Sequence, residues 1–143
     1  MKKTLFLFIA LVISIQFIPT TKTNPPVDEK LNLNTKSEVL KVLKKSCYNC
    51  HSNETKWPIY SNIAPFSWFV ISNVKNGRKA LNFSQWEDIP SDIKIKRLQR
   101  AIKTTNNGLM PPAGYLKIHD YAILSEDDKK IISEWFKLEL KKF

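Results

Sequence analysis

The only two cysteines of the chain stand three positions apart in Cys47-Tyr48-Asn49-Cys50-His51, with a histidine directly behind the second. Three chemistries use residues of this kind. A redox disulfide of the thioredoxin type needs its first cysteine at a helix N-terminus after a strand, where the helix dipole lowers the thiol pKa. A structural zinc site needs four protein ligands. Covalent haem attachment uses every residue of the motif: two thiols at this spacing meet the two vinyl groups, and the next histidine is carried beneath the iron.

The residues leading into the motif separate the three. Val39, Leu40, Val42 and Leu43 form one apolar face of a helix that a Thr35-x-x-Glu38 capping box would open, and this helix runs straight into Cys47. The cysteines therefore follow a helix instead of opening one, which is the wrong setting for a reactive thiolate. A disulfide across so short a loop would also add little stability. For zinc the chain offers only Cys47, Cys50, His51 and His119, and the adjacent Cys50 and His51 would both have to reach one ion. One covalent haem c is the reading that uses all of the motif.

Covalent haem of this kind is assembled outside the bacterial cytoplasm, and the first residues agree with export. Lys2 and Lys3 precede an apolar run from Leu5 to Ile18, and Pro19 follows. Residues 1–19 are thus a signal peptide or an N-terminal membrane anchor. No A-x-A site follows the run, so cleavage and retention both stay open. Either places the domain in the periplasm or on the outer side of the cytoplasmic membrane. Residues 20–34, with Pro25-Pro26, read as a flexible linker. Of 23 lysines and arginines against 13 acids, two lie in the leader, which leaves about +8 for the rest. Such a charge suits anionic partners, or simply a solvated lysine-rich surface. Nucleic acid is not expected outside the cell.

An electron-transfer haem takes a second axial ligand. Met110 is the only methionine beyond Met1, and it sits in Asn106-Asn107-Gly108-Leu109-Met110-Pro111-Pro112, where glycine turns the chain and the prolines stiffen it. A lone methionine is ordinarily core filler; this loop instead aims one side chain. His119 is the competing ligand, or a surface histidine ahead of the last helix.

The elements that must position these residues are helical. A helix is expected across Pro65–Gly77, with Pro65 in its first turn, Phe66, Phe69, Val70 and Val74 at helical spacing, and Gly77 as C-cap. Ser84-x-x-Glu87 marks a short helical start. A basic helix follows from Ser91 to Thr104, with Ile95, Leu98, Ala101 and Ile102 inward and Lys96, Arg97, Arg100 and Lys103 largely outward. Ser125-x-x-Asp128 caps a last helix that turns Ile131, Ile132, Trp135, Phe136 and Leu138 inward. No period-2 run competes, so the class is all-α, with four to five helices in one domain spanning 35–143.

Three stretches, CYNCHSNETKWPIYSNIAPFSW, NGRKALNFSQW and LMPPAGYLKIHDYAILSEDDKKII, together resemble the small bacterial haem-binding domain family related to cytochrome c. The resemblance covers residues 35–143. It implies a cytochrome c-like helical fold with packed terminal helices, haem attached at Cys47 and Cys50, and His51 and Met110 as its metal ligands. Ile59 departs from the pattern, standing where a second tryptophan would follow Trp57-Pro58. Trp57, Tyr60, Trp68, Trp86 and Tyr115 are the aromatics expected around the haem, although core packing explains each alone. Arg78 and Lys79 are candidates to pair the propionates, or exposed helix-end residues.

The function expected is that of a monohaem c-type cytochrome passing single electrons to or from a redox partner protein, and not an enzyme. A peroxidase-type enzyme would need an open iron face and an acid–base residue, for which only His119 offers itself. A non-redox haem sensor or binding module is the remaining alternative.

Overall fold

Aliphatic and aromatic residues at helical spacing, with most prolines at the joints, give a chain whose regular structure is all helical. A computed structural model describes residues 1–143 and contains seven α-helices and no strand. They are α1 (Lys2–Ser14), α2 (Ser37–Ser46), α3 (Tyr48–His51), α4 (Phe66–Ala80), α5 (Ser91–Asn106), α6 (Ala113–Leu116) and α7 (Glu126–Leu140). Short 3-10 turns at Ile15–Phe17, Ile59–Asn62, Phe83–Gln85 and Asp120–Ala122 join them. Helix α7 packs on both α2 and α5, and α3 packs on α2 and α4.

Helix α1 has no buried residue. No helix of the chain is long and apolar enough to cross a membrane. Segment 20–34, expected to be a free linker, is packed on the domain. Leu33 belongs to the core and its N–H donates to the Phe83 carbonyl at 2.9 Å. The Arg78 guanidinium donates to the carbonyls of Thr23 and Ser52, the Asn24 side-chain oxygen and the Thr55 hydroxyl. Four acceptors from two segments take four of the fork's five N–H donors and pin the segments together.

The caps divide. At α7 the expected box is complete: the Ser125 hydroxyl accepts from Asp128 N–H at 3.1 Å, and the Asp128 carboxylate accepts from Ser125 N–H at 2.9 Å. Lys45, at the end of α2, adds an ion pair to Asp128 at 2.5 Å. At α2 the expected box is absent. Lys36 takes the N-cap position and its carbonyl accepts the first helical bond from Leu40, so Glu38 stands one residue too early for the reciprocal contact. Ser84 likewise opens no helix: Asn82 caps the 3-10 turn Phe83–Gln85, accepting from Ser84 N–H at 3.0 Å.

Fourteen residues form the core. Its aromatic part begins inside the motif. Tyr48 stacks on Phe83 at 5.3 Å, Phe83 on Trp86 at 6.1 Å, Trp86 meets Trp135 at 5.4 Å, and Trp135 meets Phe136 at 5.0 Å. The chain of rings ties α3 to α7 across the molecule, each contact worth about 0.5–1.5 kcal/mol beyond its burial. Lys94, on α5, is buried because its ammonium lies over the Trp86 ring at 5.0 Å and reaches Glu87 at 3.7 Å. Leu138, expected inward, is exposed on α7.

Candidate functional site

Cys47 ends α2, and residues 48–51 make the single turn α3. What holds this turn in place is α4, and the contact depends on a glycine. Gly77 does not cap α4 as expected; it lies inside it, pressed on the motif. A Cβ there would stand 2.4 Å from the Cys50 carbonyl oxygen. The helix continues to Ala80, and Leu81 follows in extended conformation.

That approach brings the Leu81 carbonyl to 2.9 Å from His51 Nδ1. A carbonyl can only accept, so Nδ1 carries the proton and Nε2 keeps its lone pair. Burial lowers the His51 pKa, against the opposing pull of the Leu81 and Gly77 carbonyls. The ring is therefore a neutral, oriented donor, the state that an iron ligand requires.

Burial, helped by the nearby Cys50, pushes the Cys47 thiol up to about 12. Burial also raises Cys50, with Arg78 acting against it. Both thiols are protonated at neutral pH, the opposite of a reactive redox cysteine. Nor does any group of three or more His, Cys, Asp or Glu side chains come together that could hold a metal ion.

A cavity of about 540 Å³ opens beside the motif, and Cys47, His51 and Met110 all line it. Its apolar wall includes Leu81, Phe83, Ala101 and Phe136, and its rim carries Lys79, Lys96, Arg97 and Arg100. Met110 is 40% exposed. Gly108 turns the loop with φ of 67°, and the N–H groups of Leu109 and Met110 both donate to the Thr104 carbonyl. Helix α5 thus supplies the anchor of the methionine loop and, together with Lys79 of α4, the cationic rim.

A second cavity of about 300 Å³ lies on the other side of α3, lined by Cys50, Tyr60, Tyr115 and His119 among others. Here His119 is fully engaged: its Nε2 is 2.6 Å from the Tyr60 hydroxyl and its ring stacks on Tyr115 at 4.3 Å. Tyr115 in turn accepts from the Asn49 amide at 2.9 Å.

The expected site residues are therefore divided. Cys47, His51 and Met110 come together; Cys50, Tyr60, Tyr115 and His119 gather on the neighbouring cavity. Trp57 and Trp68 line neither of the two, and the buried Trp68 indole N–H has no partner. Trp86 is core, reaching the first cavity only through Phe83. Lys79 is exposed in the last turn of α4 and also lines the cavity rim, whereas Arg78 is spent on Ser52, Thr23, Asn24 and Thr55. The sequence reading missed Gly77, Leu81, Arg97 and Arg100. A basic pair at i and i+3 on an otherwise amphipathic helix was the available signal for the last two.

The cavity fits a haem: an apolar slot, a free imidazole nitrogen on its wall, a thioether on its lip and cations at its rim. No curated protein and no solved structure matches the chain. The model of the haem-binding domain matches residues 10–138, and on that match the chain belongs to the haem-binding domain family.

Proposed function

We propose that the chain is an exported c-type haem protein that carries single electrons, with one haem held by Cys47 and Cys50 and ligated by His51 and Met110. The observation that carries this reading is the placement of Cys47, His51 and Met110 on one cavity, with the His51 Nδ1 proton committed to Leu81. Bound haem supplies a one-electron Fe(III)/Fe(II) couple. Cys47 and Cys50 would hold it as thioethers, each S–H adding across one vinyl group, and so would prevent its loss. Cys50 lines the neighbouring cavity; it stands one turn after Cys47, the N-cap of α3, and its N–H donates to the Cys47 carbonyl at 3.1 Å.

Met110 supplies a soft thioether that favours the ferrous state and raises the potential. Leu81, Phe83 and Phe136 would keep water from the haem face, and Lys79, Lys96, Arg97 and Arg100 on the same cavity would pair its two propionates. His119 would be the acid–base group of a peroxidase-type enzyme; it lines the other cavity and is bonded to Tyr60. The leader with Lys2, Lys3 and the run Leu5 to Ile18 supports a site of action outside the cytoplasm, facing a redox partner protein.

Optical spectra in both redox states test the ligand set. Met110→Ala should turn the haem high-spin, lower its potential and let it bind carbon monoxide, while His119→Ala should do none of these. A Met110→Ala protein with the wild-type spectrum and potential would remove the sixth ligand and with it the electron-transfer reading.

A further inference from the structure

We infer that the domain itself rests on an anionic lipid surface, through an apolar patch of Ile63, Phe66, Phe69 and Ile118 that enters the same bilayer as helix α1. The inference rests on the export reading for which side of the membrane is met, and on residues 1–19 being kept as an anchor and not cleaved.

These four side chains are 51%, 58%, 66% and 62% exposed. They are contiguous. Phe66 and Phe69 are i and i+3 on α4, and Ile63 lies one turn earlier, its carbonyl accepting from Ser67 N–H at 2.9 Å. Ile118 comes from the far side of the second cavity, whose wall it shares with Phe66 and Phe69. An isolated exposed apolar residue is ordinary; a group of large ones around one cavity mouth marks an interaction surface.

What covers the patch is indicated by what adjoins it. Gln16, just beyond α1, clamps both peptide groups of Ala64: its amide nitrogen donates to the Ala64 carbonyl at 3.1 Å and its amide oxygen accepts from Ala64 N–H at 2.9 Å. Ala64 stands between Ile63 and Phe66, so the apolar helix springs from the edge of the patch. Lys22 contacts the Asn62 side chain on the same edge.

Helix α1 is apolar and wholly uncovered, and its 13 residues span about 20 Å, short of the roughly 30 Å of a hydrocarbon core. Its apolar side chains occupy every face beyond Lys2 and Lys3, so it enters the hydrocarbon from one end and does not lie along the surface. The chain's net charge is +10, Lys56 borders the second cavity, and no acidic residue lines that cavity. Anionic headgroups therefore complement the rim of the patch, while acyl chains take its apolar centre.

The test uses the full haem-loaded chain with vesicles of phosphatidylcholine containing roughly one-third phosphatidylglycerol. Flotation reads binding, and hydroxyl-radical footprinting reads which side chains are covered. Bound protein should show several-fold less oxidation at Phe66, Phe69 and Ile118, with Leu138 and Phe143 oxidised as in solution. Phe66→Ser with Phe69→Ser, at exposed positions that leave the core intact, should weaken partition about tenfold. Three outcomes overturn the inference: no flotation; flotation with Phe66 and Phe69 as reactive as in solution, which means α1 tethers a free domain; or protection that rises with protein concentration without vesicles, which means a second copy covers the patch. Each leaves the haem spectrum, and so the proposed function, standing.

Discussion

Replacing Gly77 by alanine is the smallest change that probes how the motif is held. The new methyl carbon would meet the Cys50 carbonyl oxygen at 2.4 Å, the Cys50 carbonyl carbon at 2.9 Å and the Cys50 Cβ at 3.1 Å. Two of these are backbone atoms of α3, so no rotamer change relieves them, and α4 and α3 must separate by close to 1 Å to restore ordinary contact. Overpacking of this kind costs about 1–3 kcal/mol, and an unyielding backbone puts it at the upper end. Alanine returns about 1 kcal/mol of helix propensity, leaving a net loss near 2 kcal/mol, or a fall in Tm of roughly 8 °C for a chain of this size. The same displacement pulls the Leu81 carbonyl from His51, because the Leu81 N–H is bonded to the Gly77 carbonyl. Thermal melts followed by circular dichroism, with haem content read from the spectrum, check both effects. Gly114→Ala, where nothing lies within 4 Å of the added carbon, is the control and should melt as wild type. A Gly77→Ala protein that melts with wild type and loads haem fully would refute the role given to this contact.

Other outcomes follow from individual side chains. Burial works to raise the Asp128 pKa, but the Lys45 and Ser125 donors outweigh it and the value is lowered. A depressed carboxylate contributes stability above its ordinary pKa of 3.8, lost as pH falls through the lower folded value. Asp128→Asn should therefore cost about 1–2 kcal/mol by urea denaturation at pH 7, and the gap from wild type should close in acid below about pH 4. Arg78→Ala should loosen residues 22–26, left with the Asn24 amide bond to the Thr55 carbonyl and the Asn53 amide bond to the Pro26 carbonyl, seen as faster hydrogen exchange and proteolysis there; Arg78→Lys should not restore them, since one ammonium cannot match four acceptors. Arg97→Gln with Arg100→Gln removes two positive charges from the cavity rim and should lower the reduction potential by on the order of tens of millivolts, measured by redox titration.

Much of the helical frame was legible because it obeys local rules. Ser125 and Asp128 are read as a box and form one, and Trp135 and Phe136 fall on the face that their spacing assigns. Thr35 and Glu38 carry the same pattern but fail, since the backbone starts its helix one residue late and nothing in the four residues records that. Gly77 shows a subtler ambiguity. A C-cap and a close helix crossing both ask for the absence of a Cβ, and only the three-dimensional contact with Cys50 tells them apart. Arg97 and Arg100 read as a solvated face because no acidic side chain of the chain pairs with them; in the proposed function their counter-charges are the propionates. Leu33 was hidden in a polar, proline-bearing segment, where only Val27, Leu31 and Leu33 are apolar, too few to show a helical or strand period.

The attachment of haem through Cys47 and Cys50 is the claim on which the remaining chemistry stands, and the intact mass of the denatured, exported chain tests it most directly. The account predicts a polypeptide heavier by one haem, which keeps its colour on a denaturing gel, and a Cys47→Ala with Cys50→Ala chain that has the bare polypeptide mass. A colourless wild-type chain of bare mass, made in cells that mature other c-type cytochromes, would contradict it.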